Sequence, residues 1–127
     1  MPPYNSSEFD PPAPVARITL RNPTNETSYQ DVLMLLDSGA DITLIPRHAA
    51  QHIGISTSEN QSYDLVGFDG SISSAPAVQA EVIFSGHIFR GQFLLIDQEW
   101  GIIGRNILNA LPLLLDGPRL NWDEHRL

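Results

Sequence analysis

The chain has 127 residues, 42% of them hydrophobic, which suffices for one core and is too short for two ordinary domains. Seven arginines, no lysine and fifteen acidic residues leave a formal charge of −8, so there is no basic stripe to neutralise nucleic-acid phosphates. The absence of cysteine excludes a disulfide framework, a Cys-ligated zinc site and thiol chemistry.

Residues 1–14 hold five of the ten prolines and almost no aliphatic side chains, a composition that reads as a flexible arm ahead of a folded domain at 15–127. The segment lacks the basic stretch and apolar run of a secretory signal, and nothing approaches the roughly 18 apolar residues of a membrane-spanning helix. The expectation is a cytoplasmic domain with neither membrane nor nucleic acid as partner. From Val15 on, short apolar runs alternate with turn residues, the pattern of an all-β domain. Val15 to Leu20 predicts a strand that ends at Asn22-Pro23-Thr24-Asn25. Gln30 to Leu36 predicts a second, and its five consecutive apolar residues suggest burial on both faces. Thr43-Leu44-Ile45 is a third, followed by a short helix from Arg47 to His52, with Pro46 at its start and Gly54 at its end. Ser62 to Val66 and Ala75 to Phe84 bracket a hairpin turn at Gly67-Phe68-Asp69-Gly70. Ser85-Gly86 turns the chain into Ile88 to Ile96. A helix is expected over Arg105 to Leu111, stopped by Pro112, and Asp116-Gly117-Pro118 turns the chain before Leu120 and Trp122.

The chemistry-bearing segment is Leu35-Leu36-Asp37-Ser38-Gly39-Ala40-Asp41. An ionised carboxylate directly after an apolar run loses several kcal/mol of hydration if buried alone, so such a strand end is a candidate site. Gly39 permits a sharp turn and close approach to a ligand, and the Ser38 hydroxyl can brace the loop. Asp, Ser and Gly are also common turn residues, and the local pattern alone leaves both readings open.

A second segment, Gly101-Ile102-Ile103-Gly104-Arg105-Asn106, changes the weight of the first. Together, in order and spacing, they resemble the retropepsin family of aspartic proteases, in which each chain supplies one lobe. That family carries an apolar run, then Asp-Thr/Ser-Gly-Ala, and later an apolar pair, Gly and Arg-Asn/Asp before a short helix. The resemblance spans about Val15 to Trp122. It implies an acid-protease lobe: a small closed β-barrel with a flap hairpin and one short C-terminal helix, working as a homodimer on an extended peptide or protein substrate without a cofactor. The catalytic residue implied is Asp37, in an active-site loop with Ser38, Gly39 and Ala40. The chemistry needs two carboxylates facing one water, and this chain has a single Asp-Ser-Gly, so the second Asp37 must come from another copy.

The resemblance also implies a structural ion pair between Asp41 and Arg105, and a flap at Gly67, Phe68, Asp69 and Gly70. Viral flaps are richer in glycine. Here Phe68 and Asp69 are placed either to cover substrate or simply to stabilise the turn. His48 and His52 stand at i and i+4 of a helix, but Ala49 replaces the Glu of His-Glu-x-x-His, so a solvent-facing helix is the better reading and no metal is implied. The rival function is a catalytically silent retropepsin-fold module for dimerisation or peptide binding.

Overall fold

In a computed structural model, the structure describes residues 1–55, 62–66 and 70–125. The described residues form ten strands and two short helices: β1 (Tyr4–Asn5), β2 (Ala13–Arg21), β3 (Ser28–Leu36), β4 (Leu44–Pro46), α1 (Arg47–His52), β5 (Ser62–Val66), β6 (Ile72–Phe84), β7 (His87–Ile96), β8 (Gly101–Ile103), α2 (Arg105–Leu108), β9 (Leu113–Asp116) and β10 (Asn121–Glu124). The mostly-β expectation holds: β2 to β7 overlap the six strands expected, whereas β1, β8, β9 and β10 were not anticipated as strands. α2 is shorter than expected: after Leu108 the chain continues in tight turns, Ala110 N–H donating to Ile107 and Leu111 N–H to Leu108, before Pro112 ends any helical path.

Eight strands share one sheet in the order β1-β2-β3-β8-β4-β7-β6-β5, and β2 pairs in addition with β6 through Thr19–Arg21 and Glu81–Ile83. β9 and β10 form a separate antiparallel hairpin. The sheet's important feature is β8. It lies between β3, to which it is parallel, and β4, to which it is antiparallel at Leu44 and Ile102, although β3 and β4 are successive in sequence. The loop 37–43 must therefore pass around the end of β8.

Alternation along β3 decides where the core sits. Val32, Met34 and Leu36 point into the main cluster with Ile18, Leu20, Ile45, Phe84, Ile103, Ile107 and Trp122. Burying each of the larger side chains contributes about 1.5–3 kcal/mol. Leu33 and Leu35, expected to be buried equally, are only half-buried, because one face of the strand lies on this core and the other does not. A smaller cluster of Leu44, Ala75, Ala77 and Leu94 carries the half-buried Ile42, Leu65, Ile96 and Ile102.

Two polar devices tie the sheet. Glu81, buried on β6, pairs with its cross-strand neighbours Arg21 on β2 and Arg90 on β7, joining three strands through one carboxylate. The proline-rich start of the chain is held by its backbone: β1 pairs with β2, Tyr4 N–H donates to Leu120, and Trp122 N–H donates to the Pro2 carbonyl. β2 itself begins at Ala13, so strand pairing reaches into the segment whose composition suggested an arm.

Candidate active site

Asp37 stands one residue beyond β3, half-exposed, and the strand's period of two puts it on the face of Leu33 and Leu35 rather than that of Met34 and Leu36. Its position is set by three backbone contacts. Its own N–H donates to the Ile103 carbonyl at 3.0 Å, which fastens it to the end of β8. Ala40 N–H donates to the Asp37 carbonyl at 3.1 Å and closes the turn. Gly39 N–H donates to Asp37 Oδ1 at 2.9 Å, which orients the carboxylate. A side chain at Gly39 would put its first carbon 3.1 Å from that same oxygen, so the glycine leaves room for the carboxylate as well as for the turn. Oδ2 forms no hydrogen bond among the described residues.

The loop is locked from the far end of the sequence. Arg105, at the start of α2, donates its N–H to Ala40 at 2.8 Å and one guanidinium N–H to the Ser38 carbonyl at 2.8 Å. The expected ion pair between Asp41 and Arg105 is not among the salt bridges of the described residues. Both residues are exposed, and the guanidinium is engaged with the loop backbone instead. The brace thus exists in another form, two hydrogen bonds to carbonyls in place of a charge pair. Gly104 passes so close to the loop that a first side-chain carbon would lie 2.5 Å from the Ile42 carbonyl oxygen, a clash with backbone that nothing can relieve cheaply.

Thr43 was not singled out by sequence. It is fully buried, accepts from Gly104 N–H at 3.1 Å and donates to Asn106 Oδ1 at 2.7 Å, so one hydroxyl joins the end of the loop to both residues that flank Arg105. In a strand a threonine ordinarily signals β-propensity alone; the only hint was a hydroxyl among otherwise apolar residues.

Beside Asp37 the surface is apolar. Leu35 and Ile102 are register partners of β3 and β8, both half-buried on the carboxylate's side, and Leu65 on β5 packs into the same small cluster as Ile102. The hairpin of β5 and β6 is present from Ser62 and Ile72 onward. Gly67, Phe68 and Asp69 lie outside the described residues, while Gly70 is exposed with a left-handed φ of +81° that suits a turn glycine. The histidines of α1 are occupied locally: the His48 ring contacts the Glu99 carbonyl and the His52 ring packs at a tilt against Tyr29. A cavity of about 450 Å³ lies elsewhere, between the amino-terminal segment, β2 and β10. Asp37 does not line it.

Comparison with known proteins agrees with this geometry. A family profile described as aspartyl protease matches residues 24–107, well over half of the chain and inclusive of both loop segments. The structure is similar to that of EIAV protease complexed with the inhibitor HBY-793, with a TM-score of 0.61 and 20% sequence identity over 84% of this chain and 91% of that one. No curated protein sequence matches. The fold is retropepsin-like.

Proposed function

Because the chain belongs to the aspartyl protease family, we propose that it is an endopeptidase whose working unit is a homodimer, with Asp37 of each subunit forming the catalytic dyad. The observation that carries this reading is the single carboxylate of Asp37, oriented through Oδ1 by Gly39 and left open at Oδ2 on a half-exposed face. One such group cannot perform the reaction, and the chain contains one Asp-Ser-Gly. A two-fold axis beside Asp37 brings two identical carboxylates to the roughly 3 Å separation at which they share a proton.

In that arrangement the ionised Asp37 takes a proton from a water held between the two. The protonated Asp37 donates to the carbonyl oxygen of the substrate peptide, and the water oxygen attacks the carbonyl carbon. Collapse of the tetrahedral centre breaks the C–N bond as the nitrogen receives a proton from the dyad. Peptide lies extended and pairs as an added strand, its side chains falling alternately on the apolar surface of Leu35 and Ile102. The hairpin of β5 and β6 supplies the flap expected over it. Ser38, Gly39 and Ala40 hold the loop, with Arg105 fixing Ser38 and Ala40 in place of a pair with Asp41. The chemistry needs no cofactor or metal.

A peptide-library cleavage assay with wild type and Asp37→Asn tests the reading. Loss of the general base lowers turnover by at least about 10²–10⁴-fold with the fold intact. Wild-type turnover in the Asn variant refutes the mechanism. A wild-type dimer that hydrolyses nothing between pH 4 and 7 is instead a silent peptide-binding module.

A further inference from the structure

The cavity of about 450 Å³ between the amino-terminal segment, β2 and β10 has the size of a small-molecule site. Its walls are held in place by backbone bonds to one another. Trp122 N–H donates to the Pro2 carbonyl, Tyr4 N–H donates to the Leu120 carbonyl, and β1 pairs with β2 at Tyr4 and Pro14. The polar groups of these walls are absent or already engaged. Pro2 and Pro3 have no N–H to offer, and the Trp122 indole N–H donates to the Val15 carbonyl at 2.7 Å. Ring and aliphatic surface remains to line the space, from Tyr4, Phe84 and Trp122 with Val15 and Leu33.

One charge of each sign belongs to the same lining, Arg17 of β2 and Asp123 of β10. Arg17 differs from most of the arginines. Among the described residues Arg21, Arg47, Arg90 and Arg119 each pair with a carboxylate, and Arg105 holds the Ser38 carbonyl at 2.8 Å. Arg17 is exposed, and its one hydrogen bond is long, a guanidinium N–H donating to the Asp31 carbonyl at 3.4 Å. The carboxyl of Glu8, on the amino-terminal segment, is held below its usual range by the Ser7 and Asn5 side chains first and by Arg17 last. In a chain of net charge −8, a cation without a carboxylate partner beside an apolar hollow is a local exception to the surrounding field.

We infer that this cavity binds a small aromatic carboxylic acid, its ring among Tyr4, Phe84 and Trp122 and its carboxylate on Arg17. Walls made of rings favour a flat ring in offset or edge-on contact. The planar guanidinium fork matches a planar carboxylate. Asp123 repels a second negative charge, which selects a monocarboxylate over a phosphate. Asp37 does not line the cavity, so the site stands whether or not the chain hydrolyses peptides.

Two-dimensional ¹H–¹⁵N NMR of the full chain tests it. The chain has two tryptophans, and Trp100→Phe tells their indole signals apart. The probes are 4-phenylbutyrate and 4-phenylbutyramide, which share a ring and chain and differ in charge. The acid shifts the Trp122 indole signal saturably at about millimolar concentration, and binds roughly 5–10-fold tighter than the amide. Arg17→Gln weakens the acid by roughly 5–10-fold and leaves the amide within about 2-fold, whereas Asp123→Asn tightens the acid by about 2–3-fold. Arg119→Gln, paired with Asp116 and outside the lining, changes neither affinity. A Trp122 signal that stays still up to about 10 mM acid, an amide that binds as tightly as the acid, or a folded Arg17→Gln variant with wild-type affinity for the acid overturns the assignment.

Discussion

The hydroxyl of Thr43 offers the sharpest test of how the Asp37 loop is held. Thr43→Val keeps the volume and the β-branched shape and removes only the hydrogen-bonding group. The side chain is fully buried, so no water replaces it. The variant loses the bond to Asn106 Oδ1, worth about 1 kcal/mol net, and leaves the Gly104 N–H unsatisfied at about 1–3 kcal/mol. Asn106 is exposed and regains water, so it adds no further penalty. The sum is about 2–4 kcal/mol, which in a domain of this size lowers the melting temperature by about 10 °C. Thr43→Ser keeps both bonds and gives up one buried methyl, about 1 kcal/mol. Thermal unfolding by circular dichroism ranks the three proteins, and peptide turnover should follow the same order, because Gly104 lies next to the residue that fastens Asp37. A Val variant melting within 2 °C of wild type refutes the reasoning, as does a Ser variant that melts as low as Val.

Two other expectations concern charge. Glu81→Gln weakens the junction of β2, β6 and β7 by about 1–3 kcal/mol, the lower end reflecting how exposed Arg90 is, and an unchanged denaturation midpoint removes Glu81 from the account. Hydrolysis should follow a bell-shaped pH profile with its maximum at about pH 4–6, since a carboxylate pair titrates in two steps and works only with one proton between them; a rate that climbs steadily through pH 9 is incompatible with a dyad.

The parts of the site readable from sequence were those written in consecutive residues. Asp37-Ser38-Gly39 and Gly104-Arg105-Asn106 each carry their geometry locally, with Gly104 too close to the Ile42 carbonyl to take a side chain and Gly39 set tight against the Asp37 carboxylate. What joins them was not readable. The pairing of β3 with β8, and the Thr43 hydroxyl between Gly104 and Asn106, link positions about sixty residues apart, and no local pattern records a partner at that distance. The Arg105 contact was anticipated in place but not in kind, because charge suggested a carboxylate partner and the loop offered carbonyls. Composition did not show the backbone pairing at the amino terminus either. Proline lacks a donor but keeps its carbonyl, and Pro2 uses it to accept from Trp122. The run Val32 to Leu36 overstated burial because hydrophobicity does not say how many faces a domain covers.

The insertion of β8 between β3 and β4 also orders events in time. During synthesis the Asp37 segment leaves the ribosome well before Gly101–Arg105, several seconds earlier at ~5–20 residues per second. Until that later segment threads between its two neighbours, the Asp37 N–H has no Ile103 carbonyl to meet and Ser38 no guanidinium to rest on. A nascent or truncated chain therefore carries the aspartate without the frame that aims it. On the proposed reading, hydrolytic competence waits until β8 and α2 have been made and have docked beside the Asp37 loop, so the order of the strands itself guards the polypeptide and its neighbours against premature cutting.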